Sequence, residues 1–121
     1  LVNNAGRSST MAFEQAVDEV WQEDIEVKLY GVIRCTRLAI PHMRRQGGGR
    51  IITMTGIAGK QPGSRSVPSS VTRAASINLT IALANEYAAD NILLQRACDL
   101  KIERVIGSDQ GRCAFALSIF Q

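Results

Sequence analysis

Apolar positions recur along the chain in two rhythms. Between Glu19 and Arg45, the residues Trp21, Ile25, Leu29, Ile33, Thr36, Ile40 and Met43 return at intervals of three and four. That period predicts a long amphipathic helix with one packed face. Pro41 falls in its last turns and is expected to bend or shorten that end, because proline lacks an N–H and crowds the preceding turn. Gly47-Gly48-Gly49 then supplies the stop.

The second rhythm is that of strands. Arg50-Ile51-Ile52-Thr53-Met54-Thr55 is short, β-branched and bounded by glycine, which predicts a buried strand ending at Gly56. A loop rich in Gly, Ser and Lys/Arg is expected over 57–67. A second helix is expected from Pro68, a good first-turn residue, to about Ala89. Small residues at Ala74, Ala75, Asn78 and Ala82 would let another helix approach it closely. Asp90-Asn91 marks a turn, and Ile92-Leu93-Leu94 opens a further strand. At the other end, the apolar stub Leu1-Val2 meets the turn cluster Asn3-Asn4-Ala5-Gly6. Residues 7–18 read as surface loop with a short helical piece. Beyond Cys98 the pattern is ambiguous, and Ala114 to Phe120 fits a helix or a strand.

Strand, helix, strand, helix, strand with short connections implies an α/β fold of parallel strands joined by right-handed crossovers. Parallel sheets need both faces covered, and two clear helices are few for that. The chain is therefore expected to be a piece of a larger α/β domain or to need a partner. Its 121 residues suffice for one domain. With 45% hydrophobic and 21% charged residues it is globular rather than disordered. A net charge of +3 is too mild to argue for nucleic acid. No apolar run approaches the roughly 18 residues of a membrane span. The N-terminus has no secretory pattern and reads as if it began inside a strand. Cys35, Cys98 and Cys113 are odd in number and lack CxxC spacing, which argues against a disulfide framework or zinc site and for a cytoplasmic location.

Several motifs in order carry a family likeness. Leu1-Val2-Asn3-Asn4-Ala5-Gly6 resembles the strand-end NNAG of the short-chain dehydrogenase/reductase family. Pro41-His42-Met43 followed by Gly49-Arg50-Ile51-Ile52 resembles its "PHM…GRIVN" stretch, and Arg73-Ala74-Ala75 with Leu79-Thr80 resembles its "KAA…LT" helix. The likeness spans about residues 1–98, leaving 99–121 as a divergent C-terminal segment. It implies part of a Rossmann-type parallel sheet with flanking helices, the first βαβαβ half lying outside these residues. It also implies NAD or NADP as cofactor and a small-molecule carbonyl/alcohol substrate. Ligands of such folds lie beyond the carboxyl ends of the strands, here Asn3 to Gly6, Thr55 to Gly59 and Cys98 to Leu100. Asn3, Asn4, Ala5 and Gly6 would contact the adenosine ribose and neighbouring backbone, although a purely structural turn is an equal reading. The family's glycine-rich TGxxxGxG turn is not among these residues. Gly47-Gly48-Gly49 precedes a strand and cannot replace it. Nucleotide binding by this chain alone is accordingly in question.

The resemblance also assigns four catalytic positions. Family members use Asn, Ser and Tyr-x-x-x-Lys, with tyrosine as acid/base, serine orienting the carbonyl, lysine holding the ribose, and asparagine holding a relay water. Those positions fall on Lys28, Gly56, Ser69 and Arg73, at the family's spacing without gaps. All four identities differ. An aliphatic hydroxyl is a far weaker acid than a phenol, whose pKa is about 10. Gly56 offers no side-chain donor, and losing one oxyanion-type donor alone costs about 10²–10³ in rate. Arg73 keeps a charge, with a bulkier fork, and could still meet a ribose. Lys28 replaces a donor/acceptor with a donor-only cation.

The remaining chemistry-bearing residues have plainer expectations. His42 is read as structural or surface, and Arg44, Arg45 and Arg50 as solvated cations, the first two at a helix end. Glu23, Asp24 and Glu26 are assigned to the wet face of the first helix, Cys35 to the core as a small filler, and Trp21 to packing. The expectation is a chain of oxidoreductase ancestry whose own catalysis is absent or strongly impaired. Two alternatives stand beside it: a non-catalytic interaction module forming homo- or hetero-oligomers through helices 19–45 and 68–89, and a truncated product without function. No metal, nucleic-acid or membrane partner is expected.

Overall fold

A computed structural model of the chain describes residues 1–97. The expectations for 99–121, Ala114 to Phe120 and the Cys98–Leu100 strand end lie outside these residues. Three parallel strands form one sheet in the order β1 (Val2–Asn3), β2 (Gly49–Met54), β3 (Ile92–Ala97). Val2 pairs with Ile52, and Ile51 with Leu94. Between them lie α1 (Asp18–Ile25), a π-helical turn over Glu26–Tyr30, α2 (Gly31–Arg45) and α3 (Val67–Tyr87). Short 3₁₀ turns cover Phe13–Gln15, Ile57–Gly59 and Ala88–Asp90. This is the α/β alternation that the sequence predicts.

One face of the sheet holds the apolar core. Ile51, Ile92 and Leu94 pack with Ile40 and Met43 of α2, and Ala39, Leu83, Ala84 and Tyr87 close around them. Two right-handed crossovers running in the same direction place α2 and α3 on that face together. The opposite face stays open among the described residues, with Val2 58% and Leu93 45% exposed. None of the described helices is long and apolar enough to cross a membrane.

Two details differ from the periodicity argument. The first helix is continuous from Asp18 to Arg45 only by way of the π turn, in which the Gly31 N–H bonds the Glu26 carbonyl. The extra residue shifts the helical phase. Consequently Asp24, Lys28, Val32, Thr36, Ile40 and Met43 are buried, whereas Trp21, Ile25, Leu29 and Ile33 are only half-buried. Second, Pro41 does not shorten α2, which runs on to Arg45. The N–H that proline lacks would have served the Arg37 carbonyl, and both residues are exposed, where water can serve instead.

The α2–β2 connection requires glycine. Gly48 has φ +144, and a side-chain carbon there would fall 2.6 Å from the Asn91 carbonyl oxygen. That approach lets the Gly49 N–H bond Asn91 O at 3.1 Å and the Asn91 side chain reach Gly47 O at 3.1 Å.

Candidate functional site

The buried face of α3 is built mainly from hydroxyls and small side chains. Ser69, Ser70, Thr72, Ser76 and Thr80 are all buried along it. Several bond back to carbonyls one turn earlier, Thr72 to Pro68 at 3.0 Å and Thr80 to Ser76 at 2.8 Å. Such short side chains let the π turn approach α3 closely. The Ser76 hydroxyl is 2.9 Å from the Lys28 carbonyl oxygen and 3.0 Å from that of Thr72, and shares its one hydrogen between them. π turns concentrate at functional sites because they re-aim side chains, and here the re-aimed side chain is Lys28.

Lys28 is only 5% exposed and lies between Asp24 and Ser69. Its Nζ forms an ion pair with Asp24 and donates to Ser69 Oγ at 2.7 Å. Asp24, 3% exposed, also accepts from Thr72 Oγ1, from Ser9 Oγ at 3.2 Å and from Ser69 Oγ at 3.4 Å. The backbone N–H of Ser9 completes the cluster by donating to Ser69 Oγ at 3.0 Å. Burial by itself would raise the Asp24 carboxyl. Hydrogen bonds from Lys28, Thr72 and Ser9, with the Lys28 charge, outweigh burial and hold it below its ordinary 3.8.

The Ser69 hydroxyl is therefore saturated. A hydroxyl has one proton and two lone pairs. Its proton points to Asp24, and its lone pairs take the Lys28 and Ser9 donors. Lys28, paired with a carboxylate, is not placed as a base toward Ser69. The cluster is a closed polar knot rather than a nucleophile with its activator.

Gly56 and Arg73 form a second pair. Gly56 follows β2 with φ +63, and a side-chain carbon there would fall 2.8 Å from Arg73 Nη1. That nitrogen donates to the Thr55 carbonyl at 2.8 Å. The guanidinium thus fills the space beside the strand tip that a side chain at 56 would claim. At the tip of β1, Asn3 is half-buried and its Nδ2 donates to Thr36 Oγ1 at 3.3 Å, while Asn4, Ala5 and Gly6 are exposed.

Some placements correct the sequence reading. Asp24 does not lie on the wet face of the first helix: it is the hub of the buried cluster, and its burial is tolerable because Lys28 and three hydroxyls compensate it. The signal available in the sequence was the Asp24–Lys28 spacing of four, which puts both on one helical face. Cys35 is exposed rather than a core filler: on α2 it lies with Arg34 and Leu38, off the buried stripe of Val32, Thr36, Ile40 and Met43. Ser9 and Thr72 carried no signal at all. His42 is exposed and accepts from Arg45 at 2.7 Å, and Arg44 pairs with Asp90 while lying over the Tyr87 ring.

Comparison with known proteins places this geometry. A family model for short chain dehydrogenases matches residues 1–99. The acetoacetyl-CoA reductase of Rhizobium meliloti is 37% identical over 98 residues, covering 81% of this chain and 41% of that protein. A short-chain dehydrogenase/reductase of Talaromyces verruculosus is 30% identical over 122 residues, covering all of this chain and 48% of its own length. Among solved structures, L-sorbose reductase from Gluconobacter frateurii, crystallised with NADPH and L-sorbose, superposes with a TM-score of 0.77. It is 38% identical, over 79% of this chain and 36% of the reductase. Acetoin dehydrogenase from Enterobacter cloacae gives 0.78 at 29% identity, covering 81% and 39%. The chain thus spans less than half the length of these relatives. With its parallel sheet in the Rossmann-type arrangement of those structures, the chain belongs to the short-chain dehydrogenase/reductase family.

Proposed function

We propose that this chain is a short-chain dehydrogenase/reductase unit of the oxidoreductase type whose carbonyl/alcohol chemistry is absent or strongly impaired. The observation that carries the reading is the saturated hydroxyl of Ser69, 2% exposed, at the position where the family likeness puts a tyrosine acid. No proton is free there for a substrate oxygen. Gly56 supplies no second donor, and the Arg73 group that meets Gly56 is committed to Thr55.

NAD or NADP is the cofactor that membership implies, and it supplies or accepts a hydride when bound. Asn4, Ala5 and Gly6, exposed at the tip of β1, can meet a nucleotide through their backbone. At the reacting end the residues do not fit the group: Ser69 lies beneath Ser9, and Arg73 Nη1 is turned to the Thr55 carbonyl rather than outward. No hydride step is assigned to this chain.

The test is turnover. Purified chain mixed with NADPH and a panel of ketones and ketoacyl thioesters should show no loss of NADPH absorbance above background, and Ser69→Ala or Arg73→Ala should change nothing. Turnover that disappears in either variant would contradict the reading.

A second reading has its own observation. Leu38 on α2 is 73% exposed, and Val71 and Ile81 on α3 are 50% and 48% exposed. Ala74, Asn78 and Ala82 lie exposed beside them, a small-residue surface suited to another helix. This favours a chain that pairs with itself or with an intact relative. Sedimentation at micromolar concentration, alone and with a full-length relative, decides it, and monomer in both cases removes it.

A further inference from the structure

The segment that leaves β1 is held by few contacts. Ser9 is 8% exposed, yet Ser8 and Thr10 on either side are exposed, so a single residue dips into the fold from an otherwise solvated stretch. That residue uses both its groups. Its N–H donates to Ser69 Oγ at 3.0 Å, and its hydroxyl donates to Asp24 at 3.2 Å. Two residues on, the Met11 N–H donates to the Arg65 carbonyl at 2.8 Å. Arg65 holds φ +59, an unfavourable conformation for a residue with a side chain. Arg7 adds only an exposed ion pair with Glu23. Residues 7–10 carry no apolar side chain, and Met11 is half-buried.

We infer that residues 7–11 form a strap that lifts off α1 and α3 as a unit while the sheet stays intact, and that its closed position occludes Lys28 and Ser69. Opening breaks three hydrogen bonds and one exposed ion pair and uncovers one half-buried apolar side chain, Met11. Opening the sheet would uncover Ile51, Ile92 and Leu94 together. Local openings of the first kind are favoured over global ones for this reason. The inference is independent of the reading of lost catalysis: a strap can open over an inert cluster or an active one. It makes occlusion of the cluster reversible, which the exchange of a phenol for a hydroxymethyl is not.

Amide hydrogen exchange of the whole chain tests this. The Ser9 amide should exchange with weak dependence on added denaturant, and the buried Thr55 amide, bonded to the Ala97 carbonyl, with strong dependence. Ser69→Ala removes the acceptor of the Ser9 N–H and should speed exchange at Ser9 by roughly threefold to tenfold, with the weak denaturant dependence of that amide retained. Identical denaturant dependence of the two amides in the wild-type chain would overturn the inference, whether or not the variant folds. So would an unaltered Ser9 rate in a folded Ser69→Ala chain.

Discussion

Lys28 Nζ lies 2.7 Å from Ser69 Oγ, across 41 residues of sequence, and both are almost wholly removed from water. A cation in that position is tolerated only because Asp24 meets it from the preceding turn. The stability of the cluster therefore resides in the pair. Replacing one partner strands the other as a buried charge, which typically costs about 3–5 kcal/mol. Lys28→Met and Asp24→Leu should each lower the urea midpoint severely, and the double variant should be more stable than either. A double-mutant cycle showing no coupling would contradict the ion pair.

Acid should dissolve the same knot. The Asp24 carboxyl is depressed in the folded chain, so its contribution to stability is fully present above the ordinary 3.8 and is lost as pH falls through the lower folded value. Unfolding midpoints recorded from neutral pH downward should fall through that acidic window. The Asp24→Leu/Lys28→Met chain should show a flatter acid limb than the wild type.

Gly56 and Arg73 should behave as a coupled pair. Gly56→Ser forces φ +63 on a residue with a side chain, costing about 1–2 kcal/mol. It also displaces the guanidinium from the Thr55 carbonyl, for about 1.5–3 kcal/mol more. In the Arg73→Lys background that bond and that clash are already gone, so adding Gly56→Ser there should cost less than in the wild type. Chemical denaturation of the four chains measures the difference.

Ser76 offers a gentler probe of the π turn. Ser76→Ala keeps the shape of the α3 face and removes the donor at the Lys28 carbonyl, for an expected loss of about 1–2 kcal/mol. Thermal unfolding would register this as a shift of several degrees.

The strands and helices were legible because their signals are local: β-branched runs ended by glycine, and apolar returns every third or fourth residue. The expected strand from Arg50 to Thr55 and the observed β2 differ by one position at each end. The family likeness was legible for a related reason, since its motifs are continuous in sequence. The cluster was not legible. Asp24 read as solvated because charges usually are, Lys28 was singled out only by the family's asparagine position, and nothing along the chain shows that Thr72, Ser69 and Ser9 converge on them from elsewhere. The sequence period also assumes one uninterrupted α ladder. A single π turn breaks that assumption, and Asp24 and Lys28 take the buried positions expected of Ile25 and Leu29.

The π turn works as a gear with one extra tooth. Each residue advances a helix by about 100°, so removing one residue from 26–30 would restore an even ladder yet swing α1 by about a quarter of a revolution relative to α2. Asp24 would then sweep away from Thr72 and Ser9 while Ile40 and Met43 stayed seated on the sheet. A one-codon deletion there would leave the scaffold standing and disperse the cluster, so the length of this short turn matters to the site as much as the identity of its residues.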